Sequence, residues 1–374
     1  MEKENMTLLV NGVNAFPEII RCIEAAEKSV EINMFIWRDD EIGNRMAQAV
    51  LTAADRGAKV YISIDRYGVV LEMSEEAKKS FFHRNLTVTE KFKVAMLERM
   101  YPENGRPGKV SEGENPLYGR IMAHPNIQVS ADIFKADHSK YYLIDDEILF
   151  LGGVNIEDKE NGQDISGRVY GDYMAKLRGR EYVSAFREKL ATGKNVLEDV
   201  FFGLNLKVPI RRFEMEGLYL DMINSAQREL HITMAYFSPL KNFVEAILDA
   251  ARRGAAVTVL IPERANFQND SNRRTVRRLL EESGGKIQVW FSPKMLHTKL
   301  MMNEQYISFG STNITKKAFE QLNELNLFVK RGDSEFERDL LASIAEDLRT
   351  ARRVEDPREI DYHRLTAFLE GFVV

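Results

Sequence analysis

A chain of 374 residues is too long for one small core and long enough for two domains of ordinary size. Its 44% hydrophobic share allows two sheets to be fully buried. Its formal net charge of −5 weighs against a non-specific nucleic-acid binder, which usually carries a basic excess. A single cysteine, Cys22, excludes an internal disulfide framework and fits a reducing compartment.

The opening MEKENMTLLV lacks the basic and long apolar regions of a signal peptide. No stretch approaches the roughly 18 apolar residues that span a bilayer. A cytoplasmic protein is therefore expected, with a peripheral position on the inner face of the plasma membrane left open. FPEIIRCIEAAEKS reads as a helix with Cys22 packed in the core. VEINMFI, within residues 23–37, has the β-branched and aromatic content of a buried strand. GNRMAQAVLTAADRG then has apolar residues at helical spacing and a C-cap signal at Gly57.

Residues 71–120 break this rhythm. SEEAKKSFFHRNLTVTEKFKVAMLERM reads as mostly helical, and YPENGRPGKVSEGENP as a loop rich in Gly and Pro. The segment is expected to be a surface insertion, either a cap over a site or a passive decoration. HSKYYLIDDEILFLGGVN (138–155) follows, then DKENGQD (158–164), expected as a surface loop near the site mouth, and VYGDYMAKLRG.

The second half repeats the first. INSAQRELHITMAYF (223–237) matches IEAAEKSVEINMFIW (23–37), and AILDAARRGAAVTVLIP (246–262) matches AVLTAADRGAKVYISID (49–65). Gly57 and Gly254 are 197 apart, His138 and His297 only 159, so the first half carries about 38 extra residues, as the insertion requires. Strands alternating with helices argue an α/β sheet in each half. The expected architecture is two α/β/α domains related by a pseudo-twofold axis, with mixed sheets flanked by helices. The expected boundaries are 1–205, with the insertion, and 206–374 with C-terminal helices. NRRTVRRLLEESGG (272–285) places Arg273, Arg274, Arg277 and Arg278 on a helix, by default a solvated face. HRLTAFLEGFVV is expected to be a last helix docked on the fold, or a surface anchor.

The chemistry lies in HSKYYLID with GGVN and HTKLMMNE with GSTN. Residues i and i+2 of a strand face one side, so His138 points with Lys140 and His297 with Lys299. The glycine turns let backbone amides and one Asn side chain, Asn155 or Asn313, approach an anion. If the repeats pack about a twofold axis, two imidazoles, two ammonium groups and two carboxamides share a pocket suited to a phosphate diester. One neutral imidazole can attack phosphorus and become a phosphohistidine. The other, protonated, can protonate the departing alkoxide. Lys140, Lys299, Asn155 and Asn313 would hold the non-bridging oxygens. No cofactor and no metal is expected. His83, His124, His231 and His363 lack this context and are expected to be structural or solvated.

These motifs resemble those of the phospholipase D superfamily, whose mark is a duplicated His-x-Lys-x4-Asp followed by Gly-Gly/Ser-x-Asn. The first copy matches at His138, Lys140, Asp145, Gly152, Gly153 and Asn155. The second matches at His297, Lys299, Gly310, Ser311 and Asn313. It departs at the Asp position, where counting forward from His297 gives Glu304 and counting back from Gly310 gives Asn303. MFIWRDDEIGNRMAQAVLTAADRGAKVYISID and AYFSPLKNFVEAILDAARRGAAV are similar to the bacterial cardiolipin synthase branch in particular. The resemblance implies a carboxylate behind each histidine, Glu324 behind His138 and Asp172 behind His297, with His138 as nucleophile. It implies a phosphatidyltransferase acting on phospholipid at a membrane surface, with its active site within one chain. Members of that branch carry N-terminal membrane helices; none is read here, so a peripheral variant is expected. A hydrolytic phosphodiesterase (phospholipase D or nuclease) and a non-catalytic lipid- or partner-binding descendant remain open readings. Nucleic acid is not the expected partner.

Overall fold

The computed structural model describes residues 5–76, 79–83, 85–105, 115–208 and 211–373. The loop expected around 101–116 falls largely outside them. Two compact units form, Asn5–Lys194 and Asn195 onward.

The first unit runs β1 (Met6–Val10), α1 (Asn11–Glu24), β2 (Ser29–Met34), α2 (Glu41–Asp55) and β3 (Lys59–Ile64). Then come α3 (Val69–Ser74), α4 (Val88–Met100), α5 (Pro116–Ala123) and β4 (Ile127–Ser130). It closes with β5 (Tyr141–Ile144), β6 (Ile148–Gly152), β7 (Tyr173–Arg178) and α6 (Arg180–Thr192). The seven-stranded sheet has the order β1-β7-β6-β5-β2-β3-β4. β2, β3 and β4 are parallel, and the other pairings are antiparallel.

The second unit contains β8 (Val200–Leu206), β9 (Arg212–Phe213), α7 (Met215–Ser225), β10 (Glu229–Met234), α8 (Lys241–Arg253) and β11 (Ala256–Pro262). α9 (Asn269–Ser283), β12 (Ile287–Ser292), β13 (Lys299–Asn303), β14 (Tyr306–Gly310), α10 (Lys316–Glu320) and β15 (Glu324–Lys330) follow. α11 (Glu335–Thr350), β16 (Arg352–Val354) and α12 (Arg364–Val373) complete it. Its nine-stranded sheet runs β9-β8-β15-β14-β13-β10-β11-β12-β16.

The run β7-β6-β5-β2-β3-β4 thus recurs as β15-β14-β13-β10-β11-β12. This is the repeat read from the sequence, now as one topology built twice. The division at 194/195 differs from the 205/206 boundary read from the sequence. β8 is the reason: it pairs with β15 as β1 pairs with β7, so it opens the second sheet instead of ending the first.

The apolar faces explain the layers. Val30, Ile32 and Met34 pack with Phe16, Ile19, Ile23, Met46 and Val50 from α1 and α2. Leu230, Ile232 and Met234 pack with Tyr219, Phe243, Ile247 and Leu279. α8 ends as its sequence predicts: Gly254 takes φ +101°, a left-handed conformation that glycine adopts without a Cβ penalty. Cys22 is buried in the first core.

The insertion lies between β3 and β4, but it is not all surface. Phe81 and Phe82 belong to the first core, and the Phe81 N–H donates to the Trp37 carbonyl at 2.9 Å. Burying each ring contributes about 1.5–3 kcal/mol, which ties the segment down. His83 is buried beside them, with Nδ1 3.3 Å from Glu72 and Nε2 2.8 Å from the Ala131 carbonyl. α4 is started by a reciprocal capping box between Thr87 and Glu90.

Burial works against charge on His83, but the Glu72 carboxylate outweighs it and holds the imidazole above its ordinary pKa. A raised folded-state value means stabilisation that is complete below the unfolded value and lost as pH rises through the folded one. His83→Gln should therefore destabilise the protein more at pH 5.5 than at pH 9 in urea unfolding. Equal losses at both would show that the imidazole is neutral throughout.

Candidate active site

Each half builds one hairpin that gathers its motif. β5 and β6 pair with Tyr141 opposite Leu151; β13 and β14 pair with Leu300 opposite Phe309. At the open end of the first hairpin the Gly152 N–H reaches the Lys140 carbonyl at 3.4 Å. The His-x-Lys stretch and the Gly-x-Asn turn therefore sit side by side. His138 and His297 lie just ahead of their strands, not within them.

Lys140 and Lys299 have no solvent exposure. The Lys140 ammonium donates to the His138 carbonyl at 2.6 Å, and Lys299 donates in the same way to the His297 carbonyl. The His138 ring meets the Phe35 ring nearly edge-on, with centroids 4.8 Å apart, and Lys140 Nζ lies 5.2 Å from the same Phe35 centroid. This is a favourable cation–π distance. His297 has Tyr236 as its aromatic neighbour at 6.3 Å, and the Tyr236 hydroxyl is held by Asn266 at 2.8 Å. The Asn155 amide donates to Glu157 at 3.3 Å, and the Asn313 carbonyl accepts the Tyr236 N–H at 3.3 Å.

The acids downstream meet the glycine turns. A Cβ on Gly153 would come within 2.2 Å of the Asp172 carboxylate, so a side chain there would require Asp172 to move. Asp172 also accepts the N–H of Tyr173 at 2.8 Å. At the equivalent position Ser311 donates its hydroxyl to Glu324, and the Leu325 N–H donates to Ser311 Oγ at 2.9 Å. Gly with Asp and Ser with Glu are two versions of one contact between the motif turn and the head of the next strand.

The uncertain Asp position resolves in favour of Glu304. Asp145 accepts backbone N–H bonds from Glu27, Lys28 and Ser29 at 2.7–2.9 Å. Glu304 accepts from Gln227, Arg228 and Glu229 at 2.8–3.4 Å. Each pins the entry of the neighbouring strand, β2 or β10, to the closed end of the hairpin, away from the histidine. Asn303 does something else: its amide is buried against the Met222 carbonyl at 2.9 Å, and its oxygen receives Gln305 and Tyr306 N–H groups. The residue missing from the second copy is lost in this turn, where Ile144 and Ile148 are separated by three residues and Asn303 and Tyr306 by two.

Sequence reasoning missed a buried ionic cluster behind Asn155. Arg38 pairs with Glu157 at 2.6 Å and Glu75 at 3.1 Å; Lys159 pairs with Glu75 at 2.8 Å and Glu157 at 3.4 Å. The expectation of a surface loop at 158–164 is therefore corrected in part: Lys159, Glu160 and Asp164 are buried, while Asp158 and residues 161–163 are exposed. Burial alone would discharge Lys159, but Glu157 and Glu75 hold it above its ordinary pKa. At its counterpart Lys317, burial pushes the ammonium down to about 8. The signal was in the repeat: NIEDK and NITKK place a lysine four residues after each motif asparagine.

Other candidates resolve as structural. His231 is buried against the Thr233 hydroxyl at 2.8 Å, and burial pushes it down to about 4. Arg277 and Arg278 form i,i+4 pairs with Glu281 and Glu282 on the face of α9. α12 docks on α9, where Glu370 accepts the Ser271 N–H at 2.6 Å.

The doubled strand order and the doubled His-Lys-Asn hairpins define a phospholipase D-like protein with two motif copies in one chain. The chain belongs to the family described as cardiolipin synthase, PLD-like domain, whose model matches residues 19–189 and 219–347. It is 26% identical over 354 residues to cardiolipin synthase B of Escherichia coli K12, covering 88% of this chain and 77% of that protein. It is 25% identical to the probable cardiolipin synthase YwiE of Bacillus subtilis, covering 94% and 67%. Among solved structures it is similar to phosphatidylserine synthase of Haemophilus influenzae, with a TM-score of 0.71, 13% identity and coverage of 99% and 92%. Polyphosphate kinase of Porphyromonas gingivalis shares the fold at a TM-score of 0.57 and 11% identity, covering 100% and 53%. Among the described residues no helix is long and apolar enough to cross a membrane.

Two outcomes test the local assignments. Glu304→Ala should cost about 1 kcal/mol in chemical unfolding, as for a lost cap, while turnover changes only a few-fold. Burial pushes this carboxyl up, but its backbone donors outweigh that and hold it below the ordinary range, so its contribution is present above the unfolded pKa and fades as acid protonates it. A loss of turnover as large as that of Lys299→Ala would contradict a purely structural Glu304. Gly153→Ser should lower turnover by about 100-fold, because the new side chain displaces Asp172; Ser311→Gly should be far milder. The reverse order would show that the two turns are not built as described.

Proposed function

We propose that the protein is a phosphatidyltransferase of the cardiolipin synthase type. It moves a phosphatidyl group from one phosphatidylglycerol to an alcohol, most simply a second phosphatidylglycerol. The observation that carries this reading is the duplicated His-Lys-Asn hairpin with a carboxylate at each glycine turn, in a chain whose relatives are named cardiolipin synthases.

The reaction proceeds in two displacements. Neutral His138 attacks phosphorus, and the bond from phosphorus to the glycerol oxygen breaks. His297, protonated, gives its proton to that oxygen, and glycerol leaves. The same imidazole, now neutral, takes the proton of the acceptor hydroxyl as its oxygen attacks the phosphohistidine. This second displacement releases His138 and forms the new diester. Lys140, Lys299, Asn155 and Asn313 hold the non-bridging oxygens and stabilise the added charge. By the family pattern Glu324 supports His138 and Asp172 supports His297, each fixing the ring's orientation and tautomer. No step needs a metal or cofactor, nucleic acid is not the substrate, and the enzyme works peripherally at the inner face of the plasma membrane.

The deciding assay uses purified protein with phosphatidylglycerol vesicles and mass analysis of products. Cardiolipin and free glycerol are expected. Phosphatidic acid would make water the acceptor and the protein a phospholipase D; no lipid product would sink the lipid reading. His138→Ala and His297→Ala should each reduce turnover by at least about 100-fold with the fold intact. EDTA should leave the rate unchanged. The rate should follow a bell-shaped pH curve, since one imidazole starts neutral and the other protonated.

A further inference from the structure

α4 carries large apolar residues on its outward face as well as its inward one. Its inward face is formed by Val94 and Leu97, which are buried, and by Glu90, which is paired with Arg66 at 3.0 Å. At 100° per residue the opposite face is Val88, Lys91, Phe92, Ala95 and Arg99, all exposed. Val88 is 84% and Phe92 71% solvent-accessible. Two further large apolar side chains, Ile133 (57%) and Phe134 (60%), lie near the same place. The Arg66–Tyr67 turn joins the two segments. Arg66 binds Glu90 and Asp132, its N–H meets the Ile133 carbonyl at 3.3 Å, and Tyr67 contacts Phe134 at 5.4 Å with Lys93 Nζ 5.9 Å from its ring.

We propose that the outward face of α4, with Ile133 and Phe134 beside it, is the surface through which this protein lies on an anionic lipid bilayer. Three observations select a bilayer as its occupant. The charges on this face of α4 are Lys91 and Arg99, while Glu90 is turned inward to Arg66 and Asp132, beside Ile133, is paired with Arg66 at 3.3 Å; apolar anchors flanked by cations match an anionic headgroup layer. The rings run in continuous contact from the patch to the motif: Phe134 to Tyr67, Tyr67 to Phe35 at 5.9 Å, and Phe35 to His138 at 4.8 Å. A lipid-anchored patch here therefore brings His138 near the depth at which headgroup phosphates lie. Finally, the substrate class requires contact with a bilayer; this last argument rests on the function proposed above.

The experiment is sedimentation of the full chain with vesicles of phosphatidylglycerol and phosphatidylethanolamine, alongside turnover on vesicles and on a dispersed short-chain phosphatidylglycerol. V88E/F92E should weaken vesicle binding at least tenfold and reduce turnover on vesicles in step, while leaving turnover of the dispersed lipid near that of the parent. K91E/R99E should weaken binding in a salt-dependent way. Unchanged vesicle binding by V88E/F92E would overturn the proposal. So would equal loss on both substrates, or a dimer in sedimentation that V88E/F92E dissolves, since the face would then cover a second copy. L365E/F368E on the exposed side of α12 is the comparison; if it alone abolished binding, the bilayer surface would be α12. Vesicle binding that depends on Val88 and Phe92 without any phosphatidyl transfer would uphold this surface and reject only the reaction.

Discussion

Two lysine ammonium groups without solvent exposure are the constraint around which each half is arranged. Taking such an ion out of water costs on the order of several kcal/mol unless hydrogen bonds replace its hydration. Both lysines meet this in the same way, by bending back onto the carbonyl of the histidine two residues earlier. In both halves the histidine that accepts this bond lies just ahead of its strand, β5 or β13.

The two halves answer the same demands with different chemistry. Gly153 leaves room for Asp172, whereas Ser311 bridges to the longer Glu324. Arg38 and Glu157 stand behind Asn155, while the matching positions in the second half are Ser238 and Thr315. The equivalent lysines Lys159 and Lys317 are shifted in opposite directions, Lys159 up by Glu157 and Glu75 and Lys317 down by burial. The topology is symmetric but its polar lining is not, and this difference is a physical basis for giving the two histidines different tasks.

The division into two α/β units, the strand–helix alternation and the motif residues were legible in the sequence, because hydrophobic periodicity and an internal repeat are local signals. His138, Lys140, Asn155 and their counterparts needed only spacing. The boundary near 205 was not legible: β8 looks like the tail of the first half until its pairing with β15 is known. The buried cluster of Arg38, Glu75, Glu157 and Lys159 was not legible, and residues 158–164 were read as a surface loop because charged residues are usually solvated. Their burial depends on partners far apart in the chain, which composition does not reveal.

The sequence by itself determined what chemistry is available: two His-x-Lys stretches, two Gly-x-Asn turns and acids at matching distances. It did so because those groups must recur at fixed strand and turn spacing to act together. Only the tertiary structure decided the acid at the altered motif position, since Glu304 and Asn303 differ in which strand entry they can reach. Only it showed that α4 turns Val88 and Phe92 to solvent. A helix's inward face is chosen by the anchors around it as well as by its own pattern: Arg66 holds Glu90 inward beside the helix's own Val94 and Leu97.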